Sequence, residues 1–191
     1  MLKKIILTSV FELMIFAIGL GQEDTIIMKI RDNFQSWQPI IDKELDSCDK
    51  FYNYVWGENY QFDKWTDKKL DEDTLTLCEA VSIIEQKDFG FFVYVATYSF
   101  SGDWYVATDY YYDKDKRLYF IFWRMNTFYS EEPLTVEKRM YFNKNGDKIQ
   151  ELQSIYKMNT NEKRDISFKD RDVDYKLSLN EMEFYKFWKN D

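Results

Sequence analysis

Carboxylates are the side chains of this sequence best suited to catalysis, because histidine is absent. That absence excludes Ser-His-Asp and Cys-His arrangements and removes a common zinc ligand. Glycoside hydrolysis stays open, since it requires only two carboxylates. The strand pattern places Asp109 on an apolar face between Val95 and Phe120, where burial would raise its pKa. An ion pair with Arg124 on the same face would instead make Asp109 structural.

Acidic residues near the C-terminus resemble a calcium-binding loop. The residues at positions 1, 3, 5, 9 and 12 of that template are Asp170, Asp172, Asp174, Ser178 and Glu181. Tyr175 occupies the sixth position, where the sharp turn needs glycine, and a bulky residue forced into that conformation costs about 1–2 kcal/mol. We therefore predict no metal site. We also predict no cofactor and assign no catalytic residue.

Aromatic residues are abundant, with 15 Tyr, 16 Phe and 6 Trp in 191 residues. The turns predict three opposed pairs in a β-meander, namely Phe100 with Trp104, Tyr112 with Arg117, and Asn126 with Leu134. One resulting face is apolar and forms the predicted core, with Val93, Val95, Ala107, Tyr111, Leu118, Phe120, Phe122, Val136, Met140 and Phe142. The other face carries Phe92, Tyr94, Tyr98, Trp104, Tyr110, Tyr119, Ile121, Trp123, Glu137, Arg139 and Tyr141.

The second face is amphipathic, because tyrosine and tryptophan have polar tips beside an acid and a guanidinium. Such surfaces suit glycans, peptides or a protein partner. The predicted ligand-binding residues are Tyr110, Tyr119, Trp123, Glu137, Arg139 and Tyr141. The alternative is that the C-terminal helix, through Met182, Phe187 and Trp188, covers this face and makes it core.

The N-terminus has the layout of a cleaved signal peptide. Lys3 and Lys4 precede an apolar run that ends at Gly19-Leu20-Gly21, before the polar Gln22. This order of basic, apolar and small residues is typical of secretory signals. The run is shorter than the roughly 20 residues of a membrane span and contains Glu12. We predict an exported protein, periplasmic or extracellular, with residues 1–21 removed and no stable membrane span afterwards.

The net charge bears on the class of partner, and the cysteine count bears on a disulfide. The net charge is −8 and the basic residues are not clustered, which disfavours a nucleic-acid partner. Cys48 and Cys78 form an even pair, and export would favour a disulfide between them. Two buried free thiols are the alternative.

Periodicity predicts the fold class. Ile27, Ile30, Phe34, Trp37 and Ile41 form one stripe of an amphipathic N-terminal helix. Pro39 would kink it or begin a second helix that reaches Cys48. Residues 57–73 are mostly charged and predict a surface connection. Alternating patterns and turn residues predict six strands, near 75–85, 91–100, 104–112, 117–126, 134–143 and 148–157.

The C-terminal region predicts a short helix. Ser178 and Glu181 form a capping box. A helical stripe follows, made by Leu179, Met182, Tyr185 (or Phe184) and Trp188. The fold is therefore predicted to be α+β, a single domain over residues 22–191, with an N-terminal helix packed on an antiparallel β-meander of about six strands and a short C-terminal helix.

A short internal repeat carries the resemblance that this sequence shows. Residues 111–115 (Tyr-Tyr-Asp-Lys-Asp) and 141–145 (Tyr-Phe-Asn-Lys-Asn) are each followed by an aliphatic strand. The pattern resembles hairpins of exported bacterial proteins of uncharacterised activity that have a leading helix and an aromatic-rich meander. The resemblance covers residues 91–157 and implies no activity. We predict a non-enzymatic binding or interaction module; the alternative is a carboxylate-only glycan hydrolase.

Overall fold

The structure is a computed structural model in which the chain forms two compact units, Met1–Gln38 and Pro39–Asp191. It describes the backbone of residues 2–56, 61–70, 75–128, 132–166, 168 and 172–189. Side chains are described for residues 23–55, 65–70, 76–128, 132–166, 168 and 172–189. The predicted single domain over residues 22–191 stays a prediction.

The predicted N-terminal helix is confirmed. Helix α1 spans Leu2–Glu44 and is continuous through Pro39. Ile27, Ile30 and Trp37, which belong to the predicted stripe, are buried. The extension to Cys48 is wrong, because the chain turns after Glu44 and enters a strand at Asp49. No helix in the described part of the chain is long and apolar enough to cross a membrane.

The second unit is dominated by one antiparallel sheet, which confirms the α+β class. Within the described residues it has nine strands: β1 Asp49–Trp56, β2 Gln61–Thr66, β3 Leu75–Gln86, β4 Gly90–Tyr98, β5 Trp104–Tyr112, β6 Leu118–Thr127, β7 Leu134–Phe142, β8 Lys148–Lys157 and β9 Lys163–Arg164. Their order is β2-β1-β3-β4-β5-β6-β7-β8-β9. The six predicted strands are β3 to β8, and each bound agrees within two residues.

The surface connection predicted for residues 57–73 is wrong in part, because β2 lies within it. β1 was also missed, because its residues lie between the predicted end of the helix at Cys48 and the predicted surface connection and were assigned to no element. β1 pairs with β2 on one side and with β3 on the other, both antiparallel. The segment after β2 is anchored by the backbone N–H of Leu70, which donates to the hydroxyl of Tyr54 at 2.9 Å.

The internal repeat corresponds to two turns of the same construction. In the turn after β5, Oδ1 of Asp113 accepts the backbone N–H groups of Asp115 and Arg117, both at 2.9 Å. In the turn after β7, Oδ1 of Asn143 accepts those of Asn145 and Asp147 at 2.9 and 3.0 Å. An Asp or Asn side chain thus replaces the missing ladder bonds in both turns. The register also shifts at the same place, after Tyr111 and after Tyr141.

The predicted face map is wrong by one residue at two hairpins. Tyr98 pairs with Tyr105, and Thr127 pairs with Leu134, each one step from the predicted register. Side chains alternate between the two faces, so a shift of one residue places a strand's side chains on the opposite face. The β5 and β6 side chains therefore lie on the opposite face from the β4 and β7 side chains with which they were predicted to share one. The bulge after Tyr111 additionally moves Leu118 to the face of Tyr112.

A C-terminal segment, here called the strap, comprises residues 172–189 and covers one face of the sheet. We call this the strap face and the opposite side the far face. The backbone N–H of Leu118 donates to the carbonyl of Leu177 at 2.9 Å. The rings of Phe142 and Tyr175 lie 5.0 Å apart, and those of Phe91 and Trp188 lie 6.1 Å apart. These contacts fix the strap at both ends.

The strap contains two short helical turns, a 3₁₀ helix at Leu179–Glu181 and α2 at Tyr185–Trp188. The short C-terminal helix is thus confirmed, although Ser178 forms no capping hydrogen bond through its side chain. Leu179 and Phe184 are almost completely buried. Burial of these apolar side chains, at about 1.5–3 kcal/mol each, is what holds the strap on the sheet.

Cys48 and Cys78 are both free thiols, so the predicted disulfide is absent. The register explains why. Asp49, the neighbour of Cys48, pairs with Ile83, which lies on the same strand as Cys78 but roughly 16 Å away along it. A disulfide requires Cα atoms within about 7 Å. Burial raises the pKa of both thiols, which makes them less reactive.

Candidate functional site

The six residues predicted to bind a ligand do not share a face. Tyr110 and Trp123 lie on the strap face, where Tyr110 pairs with Val93 and Trp123 pairs with Thr108. Both are buried. Three others, Glu137, Arg139 and Tyr141, lie on the far face. Tyr119 lies at the bulge, with its ring 6.2 Å from that of Tyr111.

Charged residues of the far face form ion pairs with each other. Arg139 Nη2 lies 3.2 Å from Glu137 Oε2, and Arg124 Nη2 lies 3.6 Å from Asp109 Oδ2. The guanidinium carbons of Arg124 and Arg139 lie 5.1 and 5.2 Å from the ring of Phe122. This cluster therefore satisfies much of its own charge.

Asp109 lies on the far face, opposite Tyr94 and Phe122. Its predicted position between Val95 and Phe120 is therefore wrong, while its pairing with Arg124 is as expected. Burial raises the pKa of Asp109 to about 6, and the nearby Arg124 opposes that rise. An acid already paired with a guanidinium is suited to a structural role.

A cavity of about 440 Å³ lies between the strap face and the strap. Its floor consists of side chains from β1, β3, β4 and β5, namely Asn53, Glu79, Val95, Thr97, Thr108 and Tyr110. Its walls come from β2 and the strap, namely Trp65, Asp174, Tyr175, Lys176, Met182, Glu183 and Phe184. The polar residues Asn53, Glu79 and Thr97 are cross-strand neighbours in one row of the sheet. The cavity thus has a largely polar floor and walls that combine aromatic and charged side chains.

Asn53 is the unusual member of the floor. Only 5% of its surface is exposed, yet its Oδ1 atom accepts no hydrogen bond from the residues that the structure describes. Leaving a buried acceptor unpaired costs about 1–3 kcal/mol. Such groups are rare in native proteins, and a bound ligand is one way to satisfy them.

Glu79 pairs directly with Asn53 across the two strands. Burial raises the pKa of Glu79 to about 7, and the negative charge of Glu183 adds to the effect. Glu79 therefore changes its charge near neutral pH, unlike an exposed glutamate. A carboxyl group perturbed in this way, inside a cavity, is a candidate functional group.

Two tyrosine hydroxyl groups of the strap face are bonded to the strap. Tyr110 donates to the carbonyl oxygen of Asp174 at 3.1 Å, and Tyr112 donates to that of Lys176 at 3.1 Å. Burial raises the pKa of Tyr110, so this phenol is neutral at physiological pH. These bonds also direct two strap carbonyls toward the sheet rather than toward a cation.

The calcium-loop pattern gains no support from the described residues. Asp170 lies outside them, and no group of three or more potential metal-ligating side chains is found among the rest. Asp174 and Tyr175 belong to the strap and contact the sheet.

The cavity contains only one of the predicted ligand-binding residues, Tyr110. Sequence reasoning missed Asn53 because β1 was not recognised. Glu79 did leave a signal, since it is the only charged residue between Leu75 and Ile84 in a predicted strand. An acid in the middle of an apolar strand is either paired, protonated or functional. Comparison of the chain with protein-family models, curated proteins and solved structures finds no match.

Proposed function

We propose that this protein is an exported binding module whose site is the cavity beneath the strap. The observation that carries the proposal is the unpaired Oδ1 of Asn53 on the cavity floor. A ligand that donates a hydrogen bond to this oxygen would remove the cost of its burial. The neighbouring carboxyl of Glu79 offers a second polar contact from the same row of the sheet.

The size of the cavity limits what can bind there. Small-molecule sites enclose roughly 300–1,000 Å³, and this cavity has about 440 Å³. A stable protein interface buries about 1,200–2,000 Å², more than a cavity of this kind offers. One sugar residue of a glycan, or one side chain of a peptide or protein partner, fits better.

The aromatic residues of the cavity walls support the same ligand classes. The rings of Trp65 and Phe184 lie 6.3 Å apart at an angle of 57°, and Tyr175 also lines the cavity. Aromatic faces contact the apolar faces of sugars and side chains, while a few polar groups fix the orientation.

Replacing Asn53 with leucine tests the proposal. Asn53→Leu should raise the free energy of unfolding of the empty protein by about 1 kcal/mol, because it removes an unpaired buried acceptor. It should also abolish ligand binding. Stability is measured by urea unfolding. Binding is measured by NMR shifts of Thr97, Thr108 and Tyr110 on titration with glucose, galactose, N-acetylglucosamine, glucosamine and amino-acid amides.

Asn126 provides the matched control, because its Oδ1 accepts a hydrogen bond from Thr135 at 2.9 Å. Asn126→Leu should therefore lower stability while leaving the cavity shifts unchanged. The proposal fails if Asn53→Leu destabilises the protein as much as Asn126→Leu does, or if none of the probes shifts the cavity residues of the unmodified protein.

A carboxylate-only glycan hydrolase is the second candidate. Asp109 and Glu79 lie on opposite faces of the sheet, so they cannot act on one bond. Glu79 and the exposed Glu183 do line the same cavity, and a glutamate with a pKa of about 7 is suited to act as general acid. Hydrolysis of nitrophenyl glycosides that is lost in Glu79→Gln would favour this function over simple binding.

Export is part of the proposal and rests on the N-terminal sequence pattern. The mature chain should begin at or near Gln22. N-terminal sequencing of protein recovered from the periplasm or the medium checks this, and material that begins at Met1 would contradict it.

A further inference from the structure

We infer that the ligand of this cavity carries an ammonium group, which sits between the carboxylate of Glu79 and the Oδ1 of Asn53. The inference rests on the binding function proposed above and names the ligand class. Both atoms accept hydrogen bonds, and an ammonium group has donors for both and no acceptor of its own.

Charge in the cavity favours a cation. Among the described residues, three acids line it, Glu79, Asp174 and Glu183, against one base, Lys176. Lys176 Nζ already lies 3.5 Å from Asp174 Oδ1. An anionic ligand would therefore meet like charge at both Glu79 and Glu183, while a cation would offset the repulsion between these two acids.

The remaining polar and aromatic groups agree with this assignment. The hydroxyl of Tyr110 is engaged as a donor to the strap, so it does not compete with a ligand for the acceptors of Glu79 and Asn53. Trp65, Tyr175 and Phe184 add aromatic faces beside the acids. Acids combined with aromatic rings are the usual means by which proteins recognise ammonium groups.

Binding of an ammonium group should displace a proton from Glu79. With a pKa of about 7, close to half of the Glu79 side chains are protonated at neutral pH. The ligand needs the carboxylate, so the proton passes to the buffer. The affinity should therefore fall about fivefold between pH 7 and pH 6, and roughly tenfold for each further pH unit below that. The groups that face Glu79 across the cavity are Glu183, Asp174 and Lys176 from the strap and Tyr110 from the sheet.

Calorimetry with matched pairs of probes tests the inference on the full-length mature protein. Glucosamine is compared with glucose, and cadaverine with 1,5-pentanediol, at pH 6 and pH 7. Each titration is repeated in two buffers with different ionisation enthalpies, so that proton release is measured directly. We expect at least one amine to bind tenfold or more tightly than its neutral partner, with release of about half a proton at pH 7.

Two variants separate a charge effect from a structural one. Glu79→Gln should abolish both the proton release and the preference for the amine. Glu85→Gln is the control, because Glu85 lies on the same strand but is exposed and faces Lys189 at 3.5 Å; it should change neither.

The outcomes distinguish this inference from the proposed function. Equal or tighter binding of the neutral probes overturns the ammonium assignment and leaves the binding function standing. Amine preference that persists in Glu79→Gln also overturns it. Absence of binding for all four probes, together with no shift of the cavity residues in NMR, overturns both.

Discussion

Replacing Trp123 with alanine is expected to lower the free energy of unfolding by about 3–5 kcal/mol, as for other buried tryptophans. Trp123 is 5% exposed and belongs to the cluster that includes Leu179 and Phe184 of the strap. The amine of Lys138 lies 5.5 Å from its ring centre. Truncation would therefore open a cavity under the strap and remove the aromatic contact with a buried cation.

Phe128→Ala is the control for Trp123, because Phe128 directly follows the same strand but is 55% exposed. Its truncation should change stability by no more than about 0.5 kcal/mol. Thermal and urea unfolding of both variants measure the difference. Equal, small effects would show that the strap face is open to solvent at Trp123, contrary to the structure.

Replacing Gly90 with alanine should cost about 3–5 kcal/mol, since two penalties combine. Gly90 begins β4 with φ of +112°, a conformation unfavourable for residues with a side chain. A Cβ atom there would lie 2.3 Å from the carbonyl oxygen of Tyr112 and 2.6 Å from the carbonyl carbon of Asp113. These are backbone atoms at the end of the neighbouring strand β5 and in the turn that follows it, so they cannot move away without disrupting the pairing.

Gly102 isolates the conformational part of that penalty. It has φ of +76°, and a Cβ added there would meet nothing within 4 Å. Gly102→Ala should therefore cost only about 1–2 kcal/mol. If the two alanine variants are equally stable in urea unfolding, the close approach of β4 to the end of β5 is wrong.

The sequence was sufficient for the six central strands, because local turn residues mark their ends. Asp113 and Asn143 illustrate this, since each closes a turn through its own side chain. β1 and β2 were missed because their neighbours carry many charges and few turn signals. The predicted register was wrong at two hairpins, because a pairing that differs by one residue moves every side chain of a strand to the other face of the sheet. The residue types in a loop show that a turn is present but do not fix which residues pair across it.

The candidate site depended on contacts between distant parts of the chain. Glu79 was detectable as a lone acid in an apolar strand. Its neighbour Asn53 comes from a strand that pairs with β3 on the side away from β4. The cavity walls come from a segment about a hundred residues further along, such as Tyr175 and Phe184. Local patterns cannot predict that arrangement, and Trp123 was assigned to a binding surface for the same reason.

The titration of Glu79 tests most directly whether a desolvated carboxyl lies beneath the strap. The chemical shift of its carboxyl carbon is followed by NMR between pH 3 and pH 9. Glu79→Gln assigns the signal, and the exposed Glu85 serves as an internal comparison. We predict a pKa of about 7, because burial and the charge of Glu183 both favour the protonated form. Glu183→Gln should lower that pKa. A Glu79 that titrates near 4.5, its ordinary value, would contradict the cavity and the binding site proposed within it.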